Sequence, residues 1–141
     1  MRYYTTEPTI TYEAACQVLD AAARHARSLG VAVCIAVADR AGHLVTFARL
    51  DGAPLLSAQI AQDKAYSVAA FGGLATHEWW NMIQDEPPVL HGILKTDRLV
   101  VFGGGVPVHA DGALIGAVGV SGGSAQQDQA VAEAGAQAVA T

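Results

Sequence analysis

GGGVPVHADGALIGAVGVSGG, residues 103–123, decides the fold. Asp111-Gly112 is a dipeptide suited to a tight hairpin, so VPVHA and ALIGAVGVS on either side of it read as two antiparallel strands. SAQQ follows at 124–127 in capping-box form, with Ser124 as N-cap and Gln127 reaching back, and a helix then runs to about Val139. Glycines stand at both edges of the hairpin. Glycine tolerates positive φ and close backbone approach, so Gly103, Gly104 and Gly105 have two readings. Either their amides are exposed where a ligand docks, or they serve turns and tight packing.

Upstream, RLVVFGGG reads as a further strand beginning near Leu99. From Thr11, a possible N-cap, the spacing of Ala15, Val18, Leu19, Ala22, Ala26 and Leu29 predicts an amphipathic helix closed by Gly30. Val31 to Ala38 is apolar on both faces and predicts a strand covered on both sides, turning at residues 39–42 into HLVTFAR. Pro54 is placed for a first helical turn, and SAQIAQDKAYSVAAF continues as an alanine-rich helix that stops at Gly72 and Gly73. Thr76 is placed to cap a short helix, HEWWNMIQ. Pro87 and Pro88 predict an irregular link, with another turn over Leu90 to Lys95. The order of elements predicts an α/β (α+β) fold, a five-stranded antiparallel sheet with helices packed on it, in one domain spanning residues 1–141.

Composition narrows the function. Apolar residues make up 52% of the chain but aromatics only 6%, so alanine and valine carry the burial and the elements must approach closely. Thin side-chain layers of this kind suit intimate subunit contacts. The net charge is −5, and no cluster of Lys or Arg is available to neutralise a phosphate backbone, which argues against nucleic acid as partner. No apolar run reaches signal-peptide or bilayer length, so a cytoplasmic protein with no membrane partner is expected. Cys16 and Cys34 fall in a helical and a strand pattern, as small buried hydrophobes rather than a disulfide.

Five blocks carry a more specific likeness: IAVADRAGHLVTFARLDGA, IAQDKAYSVAAF, FGGGVPV, DGALIGAVGVSGG and QDQAVAEAG, in this order over nearly the whole chain. Together they resemble the GlcG-like, haem-binding (haem-degrading, HbpS-like) family and the C-terminal part of PduO-type corrinoid adenosyltransferases. The resemblance implies a profilin-like fold, homo-oligomers up to octamers, and a haem or related tetrapyrrole ligand in some members. It names no reaction and no iron ligand.

Several residues are candidates for chemistry. Asp63 and Lys64 are adjacent charges in an otherwise small and apolar helix, and successive helical residues point about 100° apart. A Lys64 turned toward the sheet would be desolvated and fit to act as a base or an anion anchor, with Asp63 as a second acid–base group. The alternative is a solvated face, or an ion pair with Asp39, Asp51 or Asp111. Arg49 and Asp51 flank a strand end, where the guanidinium can hold a carboxylate or only brace the bend. Ser121, framed by glycines beside a helix N-terminus, is placed to bond an anion but lacks the nucleophile-elbow pattern. The histidines show no HxxxH or HxH spacing for zinc, but a tetrapyrrole needs only one or two axial ligands. His77 in THEWW is the first choice of axial ligand, with Trp79 and Trp80 as flat walls, and His91 is the second. His43, after a turn, reads as an exposed strand residue.

These readings leave three functions open. One is a small-ligand-binding protein, with the glycine-rich strand ends, the helix bearing Lys64 and the THEWW segment bounding a cleft. The second is an enzyme of small-molecule catabolism using Lys64 and Asp63, with Arg49 and the Gly103 to Gly105 amides orienting a carboxylate. The third is a non-catalytic oligomeric accessory protein.

Overall fold

A computed structural model describes residues 1–140. The first helix, α1 (Tyr12–Leu29), begins where Thr11 Oγ1 accepts a hydrogen bond from the Ala14 amide at 3.1 Å. It ends at Gly30, whose φ of 69° lets its N–H turn back onto the last carbonyls. Ala15, Val18, Ala22 and Ala26 are buried as the spacing predicts, while Leu29 is left at the surface.

Four antiparallel strands follow in two hairpins: β1 (Cys34–Asp39) with β2 (Leu44–Arg49), and β3 (Gly105–Ala110) with β4 (Ala113–Ser121). Their order in the sheet is β2-β1-β4-β3. The Asp111-Gly112 turn has positive φ at both residues, 53° and 76°, as a tight hairpin requires. Pro107 is tolerated because β3 is an edge strand.

The sheet has four strands rather than the five expected, because the segment from Leu99 does not pair. Its polar groups are satisfied on a helix instead: the Val100 amide donates to Ser67 Oγ at 2.9 Å, and Ser67 Oγ donates to the Arg98 carbonyl at 2.9 Å. Apolar residues there signal burial, but against the flank of α2 (Leu56–Ala70).

Both faces of the sheet are covered, as the apolar run from Cys34 to Ala38 in β1 requires. Ile35, Val37, Val118 and Val120 pack with α1 and with α5 (Ala125–Gln137), while Cys34, Ala36 and Ala38 pack with Ala61 and Ala65 of α2. The helix α5 begins with the predicted capping box, Ser124 Oγ accepting from the Gln127 amide and Gln127 Oε1 from the Ser124 amide, at 3.1 and 3.0 Å.

On the α2 side the residues that meet across β3, β4 and β1 are Gly105, Gly119 and Ala36, in register. A methyl group added to Gly119 would overlap the Ala61 carbonyl of α2. The glycine-rich hairpin is thus built for helix-on-sheet contact at backbone distance, the packing alternative of the two readings.

Between α2 and β3 lie a 3-10 turn (Thr76–Glu78), α3 (Trp79–Ile83), α4 (Pro87–Gly92) and a second 3-10 turn (Ile93–Lys95). Two expectations are corrected here. Pro87 and Pro88 open α4 rather than a link, because a first helical turn has no need of their missing N–H groups. Thr76 makes no side-chain cap. Its hydroxyl accepts from the Gly105 amide at 2.9 Å and so ties the turn to the start of β3.

Candidate functional site

Lys64 is the fully buried charge of the molecule's alanine-rich interior. Its Nζ donates to the Val120 carbonyl at 2.8 Å and to Asp128 Oδ2 at 3.2 Å, and lies 5.0 Å from the centre of the Phe102 ring. Asp128 stands in the first turn of α5, and its other oxygen accepts from the Gly123 amide at 2.9 Å. The partner is therefore none of Asp39, Asp51 and Asp111. Lys64 reaches past the end of β4 to the opposite helix layer, a contact between residues 64 apart in sequence that no local pattern could reveal. Gly104 makes the passage possible: at a φ of 131°, a methyl group there would lie 2.5 Å from Nζ. Burial pushes the Lys64 ammonium below its ordinary range, and Asp128 offsets part of that shift.

Asp63 points elsewhere. Its Oδ1 accepts from Arg98 Nε at 2.9 Å and from Gln59 Nε2 at 2.8 Å. The two adjacent charges thus serve separate ion pairs, and neither lines the clefts that hold Arg49, His77 or Trp79.

The glycines from 103 to 105 are buried, and the Gly105 amide is consumed by Thr76. Ser121 is buried beside Cys34 of β1. Burial pushes the Cys34 thiol up, with Arg49 opposing.

Arg49 and Asp51 do share a groove, of about 490 Å3, with Arg27, Gly30, Val31 and Ala32. Arg49 also braces the bend, since its Nε donates to the Ala53 carbonyl at 3.1 Å. Arg27, on the last turn of α1, was not legible as a partner because only the fold brings it there.

His77 lines a second cleft, of about 340 Å3, between the 3-10 turn, edge strand β3 and α5. Its walls include Ala75, Val106 and Pro107, with Glu78 and Glu133 as the charged groups. The His77 Nδ1 atom is buried without a hydrogen-bond partner, and a methyl group added to Gly103 would lie 3.6 Å from its Cβ. The tryptophans do not flank it. Trp79 turns inward against Phe71, with ring centres 4.7 Å apart, and Trp80 faces outward, half exposed. His91 is exposed on α4, and His43 is exposed beside Asp39 at 3.6 Å.

A third cavity, of about 240 Å3, lies between α2, Trp79 and residues 93–99. No helix of the described residues is long and apolar enough to cross a membrane.

These features define an α+β protein with a four-stranded antiparallel sheet between helices, a sealed lysine at its centre, and clefts at its periphery. The comparisons make the class specific: residues 10–137 match the model of the HbpS-like haem-degrading proteins, and the chain belongs to that family. GlcG of Escherichia coli K12 is 36% identical over 116 residues, covering 82% of this chain and 84% of GlcG. Among solved structures, ORFY of Klebsiella pneumoniae superposes with a TM-score of 0.89 at 37% identity, covering 98% of this chain and 95% of ORFY. The haem complex of PduOC superposes with a TM-score of 0.84 at 32% identity, covering 93% and 95% of the two chains.

Proposed function

We propose that this protein is a small-ligand-binding protein whose ligand is haem or a related tetrapyrrole, held at the His77 cleft. The observation that carries the reading is the haem complex of PduOC, a structure of the same fold at 32% identity. The local chemistry agrees with it. His77 lines the cleft, and its buried Nδ1 has no hydrogen-bond partner, a capacity that buried polar atoms seldom leave unspent without a reason. Ala75, Val106 and Pro107 present apolar surface to a macrocycle, whereas Glu78 and Glu133 oppose its acidic side chains. Gln137 adds a neutral polar group to the lining, so propionates are expected to turn toward solvent rather than toward the two carboxylates.

His77 would hold the iron, and bound haem would supply a metal centre whose properties follow from its axial donors and surroundings. His91, exposed on a short helix away from the cleft, is the weaker donor. Lys64 and Asp63 are not carried forward as acid–base groups, because each is engaged in an ion pair and Lys64 has no surface for a substrate to reach.

Titration with hemin is expected to give a saturable Soret band that His77→Ala abolishes or shifts. No saturable change in the wild type sinks the haem reading, and an unchanged band in His77→Ala moves the axial ligand elsewhere. Native mass spectrometry of protein from its own host checks the ligand independently. The protein is further proposed to be a cytoplasmic homo-oligomer, a reading supported by its exposed large apolar side chains and the likeness of its sequence.

A further inference from the structure

We propose a second ligand site, distinct from the His77 cleft, that takes a small neutral aromatic molecule bearing one hydrogen-bond acceptor. The site is the cavity of about 240 Å3 walled by Tyr66, Ala70, Phe71, Trp79, Ile93 and Leu99. Small-molecule sites are typically apolar concavities with few oriented polar groups, and this lining is of that kind.

Trp79 supplies the polar group. The indole is buried, and its Nε1–H has no hydrogen-bond partner. A buried N–H without an acceptor forfeits the hydrogen bond it made to water, and an acceptor brought by a ligand restores part of that loss. The half-exposed Phe71 ring is in tilted contact with the indole on the same wall, and in this proposal its displacement is what brings the acceptor to the buried Nε1–H. Charge selects the ligand further. Asp97 is the charged side chain on the cavity wall, so a carboxylate is repelled and a neutral carbonyl is preferred.

The roof is latched. Arg98 pairs with Asp63 at 2.9 Å, its guanidinium lies 4.1 Å from the Tyr66 ring centre, and its carbonyl accepts from Ser67. It does so at a φ of 61°, a conformation a non-glycine residue keeps only where several contacts enforce it. These contacts hold residues 93–99 down on α2, and the Asp63 carboxylate acts here as an anchor of the roof.

The test is a 1H–15N NMR titration with acetophenone, an aromatic ring with one neutral carbonyl. Ethylbenzene, which lacks the acceptor, and benzoate, which adds a charge, are the comparison probes. The chain has two tryptophans, so Trp80→Phe assigns the Trp79 indole peak by elimination. Acetophenone is expected to shift that peak saturably, with binding about tenfold tighter than for ethylbenzene or benzoate. Ala70→Phe, a filling substitution at an exposed wall position, is expected to abolish the shift. Intermolecular NOEs from acetophenone to the Ile93 and Leu99 methyl groups would locate the ligand in the cavity without any substitution. A Trp79 peak that acetophenone leaves unmoved, or that moves equally in Ala70→Phe, overturns the site. An equal response to ethylbenzene overturns the acceptor requirement. The titration is read in protein free of hemin, so its outcome is separable from that of the haem titration.

Discussion

Lys64 buries a cation in a layer built mostly from small residues, and the cost of that burial is set against one carboxylate, the Val120 carbonyl and the face of Phe102. Removing one partner of such a pair leaves an uncompensated buried charge, so Asp128→Ala is expected to lose about 3–5 kcal/mol in urea unfolding. Lys64→Met combined with Asp128→Asn is expected to cost less than the sum of the two single changes, because each single change strands one buried charge and the double change strands none, while Asn keeps an acceptor for the Gly123 amide. The pair also fixes a pH dependence. The folded-state pKa of Lys64 lies below its ordinary 10.5, so above that lowered value the unfolded chain binds more protons than the folded one. The penalty of burial is complete below the folded pKa and is relieved as pH rises toward 10.5. Wild-type stability relative to Lys64→Met should therefore rise through that window. A difference that stays flat or falls between pH 7 and about 10.5 would show that burial does not depress the lysine.

At the level of elements, glycines that look alike in the sequence do different work. Gly119 lies under α2, where an added methyl overlaps the Ala61 carbonyl and sits 2.6 Å from the Ala65 amide nitrogen. Gly119→Ala is expected to cost about 3 kcal/mol or more, since helix and sheet must separate along their contact. Gly92, the last residue of α4 and in right-handed helical conformation, would meet nothing within 4 Å, and Gly92→Ala is expected to be neutral or to stabilise by about 0.5–1 kcal/mol. Thermal unfolding of the two variants checks the contrast, and equal effects would refute the packing account. The terminal helices were legible because Thr11, Gly30, Ser124 and Gln127 act on near neighbours, and the second hairpin because Asp111-Gly112 dictates its turn. Leu99 to Gly104 was misread because apolar residues announce burial without naming the surface that buries them. Lys64 stood out as an isolated charge, but Asp128, Thr76 and the Arg98 latch depend on contacts between segments far apart in the chain.

The whole molecule keeps apolar surface that its own helices do not cover. Leu55 and Leu56, at the start of α2, are each 73% exposed. Phe47 of edge strand β2 is also exposed, and it stands opposite Ala36, on the sheet face that α2 covers. Single exposed leucines are ordinary, but adjacent leucines with this exposure are costly unless something covers them. A second copy of the chain is the proposed cover, with the leucines near the centre of a contact in which small residues allow close approach. Leu55→Glu combined with Leu56→Glu adds two carboxylates to each subunit and leaves the buried side of α2, from Ser57 to Ala69, untouched. Sedimentation velocity should then show the oligomer giving way to a smaller species while circular dichroism keeps its helical signal. If the wild type sediments as a monomer, the proposal fails outright. If the double variant sediments like an oligomeric wild type, the contact lies elsewhere, and the half-exposed Trp80 and Met82 on α3 become the next residues to charge.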